Sequence, residues 1–64
     1  MKNIKKWNYE DRYAYRYNKK EAFIQMQFAS FERRCGRHAN AVHHQEEAKY
    51  YHRQAMAIYK EHNA

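Results

Sequence analysis

Proline is absent from this 64-residue chain, and glycine occurs once, at Gly36. With so few breakers, long helices are the economical arrangement. Cysteine also occurs once, at Cys35, which excludes an internal disulfide; a lone thiol accords with a reducing, cytoplasmic setting. No apolar run approaches the roughly 18 to 20 residues that a membrane span needs. The basic start (Lys2, Lys5, Lys6) leads into Trp7, Asn8, Tyr9, Glu10 and Asp11 instead of an apolar stretch, so a signal peptide is not expected either. There is no Gly-rich phosphate loop and no recognised catalytic motif. A Cys35–His38 pair lacks any evident oxyanion donor or orienting carboxylate, so the chain is expected to be a binding protein and not an enzyme.

What is present is aromatic and basic. Seven Tyr, three Phe and one Trp are too many for a disordered tail. They also reconcile a hydrophobic fraction of 44% with a mean hydropathy of −1.36, because tyrosine counts as apolar in the first measure and polar in the second. Residues 1–37 hold ten Lys/Arg against four Asp/Glu, which accounts for the whole net charge of +6; residues 38–64 are neutral and hold all five histidines. That asymmetry points to an acidic partner for the first half. A single domain over 1–64 with a basic tail at 1–7 is the simplest organisation. A chain this short buries only about 60% of its unfolded surface, so good packing or self-association is expected to supplement its core.

The apolar spacing gives two helices. Stepping back from Cys35 by four and three residues alternately meets Phe31, Phe28, Ile24, Glu21, Tyr17, Ala14, Glu10 and Trp7, a largely apolar seam for a first helix. Asn8 ahead of Glu10 and Asp11 predicts its N-cap; Asn18 ahead of Glu21 is a second such signal, where this helix could break or restart. In the second half, Ala41, Ala48 and Ala55 recur every seven residues with His44, Tyr51 and Ile58 between them, and Glu46, Tyr50, Arg53, Lys60 and Glu61 lie opposite. Small residues along a seam let two helices approach closely. Gly36 behind Arg33 and Arg34 predicts the turn, with Asn40 capping the second helix; a turn at His43–Gln45 is the alternative. The fold class is therefore all-α: an antiparallel helical hairpin, with pairing of two copies into a four-helix bundle expected. The shared parity of Trp7, Tyr9, Tyr13, Tyr15 and Tyr17 would suit one aromatic face of a strand, but such a strand has no partner in this chain.

Gly36, Ala48 and Ala55, with Glu47-Ala48-Lys49-Tyr50-Tyr51, are spaced as in the tetratricopeptide repeat, which this stretch (roughly residues 28–59) weakly resembles. The bulky position before the glycine falls on Glu32, the later tyrosine on Ala39, and the closing proline is missing. Such repeats stack in several copies, so the resemblance implies helix-hairpin patterning and nothing about partners.

The candidate functional surface is the side of the first helix opposite its seam. It carries Tyr15, Ala22, Phe23, Met26 and Ser30, surrounded by Arg12, Arg16, Lys19, Arg33, Arg34 and Arg37. A helix in a simple hairpin should be polar there. The pairs Arg12/Arg16 and Arg33/Arg37 also repel at i, i+4, a loss that an anionic partner would reverse. Three uses are open for this face: a homodimer interface, a docking face for an acidic protein, or nucleic-acid binding through arginine–phosphate contacts and tyrosine stacking. The favoured expectation is a regulator or inhibitor that docks on a protein through Phe23 and Met26 with a basic rim; nucleic acid is the alternative, and no membrane partner is expected. Cys35, His38, His43, His44 and Glu47 offer donor atoms for zinc, but at no established spacing, and no metal or cofactor is expected.

Overall fold

The computed structural model describes residues 4–63 and gives two helices joined by a tight turn. Helix α1 runs Tyr9–Arg34 and helix α2 runs His38–His62, preceded by a single 3-10 turn at Ile4–Lys6. Of the basic tail expected at 1–7, residues 1–3 lie outside the described residues.

The helix ends follow from local chemistry. Asn8 is extended and its side-chain oxygen accepts the Asp11 backbone N–H at 2.8 Å, the expected N-cap, with Glu10 and Asp11 against the positive end of the helix dipole. At the other end Gly36 takes φ +80°, the left-handed conformation that only glycine adopts without strain. Its N–H donates to the Arg33 carbonyl at 3.1 Å and the Arg37 N–H to the Glu32 carbonyl at 2.9 Å, the paired bonds of a Schellman motif. The turn thus falls at Gly36, and the alternative at His43–Gln45 is helical.

Two local expectations are corrected. No break occurs near residue 18: Asn18 sits inside α1 and its side-chain amide donates back to the Ala14 carbonyl at 2.8 Å instead of capping a restarted helix. Asn40 does not cap α2. Arg37 holds that position, without a side-chain cap bond, while Asn40 lies in the first turn and donates to Glu32 Oε2 at 3.2 Å. No strand occurs among the described residues.

The pairs Glu32–Asn40, Gln25–His44, Tyr17–Tyr51 and Asp11–His62 run in opposite orders along the two helices, so the hairpin is antiparallel, within a body of 44 × 20 × 16 Å. On α2 the seam is the expected one: Ala41, Ala48 and Ala55 are buried, and His44, Tyr51 and Ile58 half-buried. On α1 it is rotated by about one residue. The buried positions are Tyr15 and Ala29, with Ala22 half-buried between them, each seven residues from the next. Alternating with them are Asp11, Asn18, Gln25 and Glu32, also half-buried and also seven apart. Three of these four polar residues hydrogen-bond across the hairpin: Asp11 to His62, Gln25 Oε1 to His44 Nδ1 at 2.6 Å, and Glu32 to Asn40. The helices therefore approach along alanines and are tied by polar pairs.

Displaced from that contact, the expected seam residues Tyr17, Phe28 and Phe31 are about half exposed. The large-side-chain core gathers at the open end of the hairpin. There Trp7 folds back from the 3-10 turn onto Tyr15 (5.2 Å between centroids, edge-on), beside Tyr59, Ile58 and Ala55, and stacks on His62 at 4.4 Å. The last residue of the expected tail is thus part of the core.

Candidate functional site

The seam geometry sorts the expected surface residues into separate neighbourhoods. Tyr15 is only 4% exposed and belongs to the Trp7 core, which corrects its placement on an outward face; Ala22 is half-buried beside α2. Arg37 is also engaged: its guanidinium binds the Glu32 carboxylate and lies 5.9 Å from the centre of the Phe31 ring. That pair holds the Glu32 carboxyl below its ordinary value of 4.5, first through the hydrogen bond from Arg37, and raises Arg37 in turn. Arg33 and Arg34 are exposed on the last turn of α1. Arg12 and Arg16 flank a run of tyrosines near the start of α1.

What remains together is Lys19, Phe23 and Met26, along one wall of a groove of about 570 Å³ between the helices. Ala22 and Ala48 lie at its base; two alanines facing each other leave this space unfilled, which is why a groove exists at all. Lys49, His52 and Arg53 form the α2 wall. Phe23 is 65% and Met26 49% exposed, so the hairpin leaves the first largely and the second about half in water. The groove is apolar inside with Lys19, Lys49 and Arg53 at its margins, and among the described residues no acidic side chain lines it. Among the described residues Lys49 has one carboxylate contact, Glu46 at 3.7 Å, between two exposed side chains.

Sequence reasoning missed the α2 wall. Lys49 and Arg53 are spaced i, i+4, but on α2 alone they belong to an ordinary solvated face. Only the docking of α2 beside Phe23 gives them a role, and no signal in the sequence sets that rotation.

Among the described residues no three His, Cys, Asp or Glu side chains are grouped as a metal ion would require. Cys35 is exposed at the turn, His43 lies 3.9 Å from Glu47, and His44 bonds to Gln25. Among the described residues no helix is long and apolar enough to cross a membrane.

No protein-family model, curated protein or solved structure matches this chain.

Proposed function

We propose that this chain is a small regulator or inhibitor that works by binding, seating an acidic amphipathic segment of a protein target in the groove between its helices. The carrying observation is the combination of an apolar trough containing Phe23, largely exposed, and Met26, about half exposed, with cations on both margins. In helix-in-groove recognition an amphipathic helix lays its apolar face into a hydrophobic groove of this kind. Aromatic, Met and Arg residues are the types enriched at such contacts. Full burial of a Phe or Met side chain is worth about 1.5–3 kcal/mol; with Phe23 65% exposed, most of that is not realised within the hairpin. In this reading the chain needs no chemistry of its own, and a cytoplasmic setting would keep the exposed Cys35 reduced.

The rival occupant is a second copy, completing a four-helix bundle. Charge disfavours it, since two copies meeting groove to groove would bring Lys19, Lys49 and Arg53 of each together in a protein of net charge +6. An acidic helix reverses the sign of that term.

The test is site-specific crosslinking. A photoreactive group replacing His52 in the groove should capture a target through a segment rich in Asp/Glu and leucine-like residues, and Lys49→Glu/Arg53→Glu should abolish capture. Crosslinking between copies of the chain would move the reading to the bundle. Capture unaffected by the charge reversal would overturn the groove as the docking site.

A further inference from the structure

The start of α1 carries a second surface that shares no residue with the groove. Tyr9, Tyr13 and Tyr17 follow one another at i, i+4, and their rings form a stacked column. Successive centroids are 6.3 and 6.4 Å apart and the ring planes differ by 22° and 11°. Tyr9 is 71% exposed, Tyr13 62% and Tyr17 47%. Among the described residues Tyr9 and Tyr13 make ring contacts only within the column, while Tyr17 is braced edge-on by Tyr51 of α2 at 6.4 Å. Beside the column runs a second row, Arg12, Arg16 and Lys20, each three residues after a tyrosine. The two rows enclose a groove of about 430 Å³ that no acidic side chain lines among the described residues.

Folding accounts for Tyr17, braced by Tyr51, but not for Tyr9, Tyr13 or the row of cations. The rings lie away from the alanine seam, and cations at i, i+4 repel one another along the helix. A polyanion bearing planar rings would answer both features at once. We infer that this surface binds single-stranded nucleic acid, its bases stacking on the exposed tyrosine rings while Arg12, Arg16 and Lys20 pair with phosphates.

The spacing supports a single strand over a duplex. A single strand can spread its unpaired bases one by one over the exposed ring faces of the column. A strand with its bases spread in this way repeats its phosphates at nearly the same interval as the helix repeats its cations, about 6 Å per four residues. In a duplex the bases are already stacked on one another and paired, so rings could enter only by unstacking them. Base–aromatic stacking tolerates any base, so binding should be indifferent to sequence, and nothing in the two rows distinguishes RNA from DNA.

The experiment uses the full chain and fluorescence anisotropy with labelled oligo(dT) and oligo(U) of about twelve nucleotides, a length within the usual range of such sites. A duplex of equal length and labelled poly-glutamate serve as comparisons. Both single strands should bind more tightly than duplex or poly-glutamate, with a log–log salt slope near −2 for three phosphates neutralised at about −0.7 each. Tyr13→Leu should weaken binding about tenfold while Tyr13→Phe retains it, and Arg16→Ala should reduce the salt slope by about 0.7. Phe23→Ala should leave oligonucleotide binding intact, which separates this surface from the groove. Circular dichroism checks that each variant stays helical; exposure of Tyr13 and Arg16 makes that the expected result. No measurable binding, poly-glutamate binding as tightly as the oligonucleotides, or an inert Tyr13→Leu would each overturn the inference.

Discussion

His62 Nε2 lies 2.7 Å from Asp11 Oδ2, joining the last turn of α2 to the first turn of α1 across the open end of the hairpin. The same imidazole stacks on Trp7 at 4.4 Å, with the planes 12° apart. One side chain thus ties both helices and the preceding 3-10 turn together, at the end opposite the covalent connection. Asp11 near the N-terminus of one helix and His62 near the C-terminus of the other also sit where the helix dipoles favour a negative and a positive charge respectively.

The first prediction follows from that clasp. His62→Ala removes one cross-helix hydrogen bond, worth about 0.5–1.5 kcal/mol net, together with a ring face covering Trp7. Thermal stability should fall, and Trp7, only 9% exposed in the intact protein, should show a red-shifted fluorescence maximum before global unfolding. An unchanged emission spectrum and melting temperature would mean that the open end is held without His62.

At the closed end, Glu32 links Arg37 and Asn40 to the end of α1, and its carboxyl is held below the ordinary 4.5, chiefly by the hydrogen bond from Arg37. The folded state therefore binds fewer protons here than the unfolded chain in the acid range. The contribution of Glu32 is complete above about pH 4.5 and is lost as pH falls through the lowered value. Urea melts between neutral pH and pH 3 should show a loss of stability in that window that Glu32→Gln removes. Parallel curves for the two proteins would deny the ion pair any part in folding.

Gly36 offers a cleaner measurement, because a Cβ built on it meets nothing within 4 Å while φ stands at +80°. Gly36→Ala should destabilise through backbone strain alone, by about 1–2 kcal/mol, or a fall of roughly 4–8 °C per kcal/mol in a domain of this size. Gly36→Asn should lose less, since asparagine tolerates the left-handed region. A neutral alanine variant would indicate that the turn relaxes to another conformation.

The elements legible in the sequence are those set by local chemistry. The Asn8 cap, the Gly36 turn and the alanine seam of α2 each depend on a few neighbouring residues whose preferences do not change with context. The seam of α1 was not legible, for a physical reason. Hydrophobic periodicity seeks the apolar stripe, and on α1 that stripe (Tyr17, Ile24, Phe28, Phe31) is largely left at the surface. The contact is made instead by Tyr15, Ala22 and Ala29 alternating with Asp11, Asn18, Gln25 and Glu32. Those polar residues are tolerable there because His62, His44 and Asn40 stand opposite most of them, a complementarity between segments distant in sequence. The same rotation decided the candidate site. It drew Tyr15 into the core, left Phe23 and Met26 in a groove, and brought Lys49 and Arg53 beside them.

The last prediction turns on what Phe23 contributes to the hairpin alone. Because its ring is 65% exposed, Phe23→Ala should change the stability of the isolated chain little, by less than about 1 kcal/mol, as for surface positions generally. If the groove receives an external acidic helix, the same substitution should weaken target binding by 2 kcal/mol or more, since anchors buried on docking dominate such interfaces. The melting temperature should also be independent of protein concentration at low salt, where the Lys19, Lys49 and Arg53 margins of two copies repel each other. A second copy in the groove reverses both stability outcomes. Stability would then rise with concentration, Phe23→Ala would lower it in the absence of any target, and light scattering would report a dimer that the substitution dissociates. Melting the unmodified and Phe23→Ala chains over a hundredfold range of concentration, with scattering mass measured at each end, discriminates between the two occupants. A small, concentration-independent effect of the substitution favours the external target; a large, concentration-dependent one assigns the groove to the four-helix bundle.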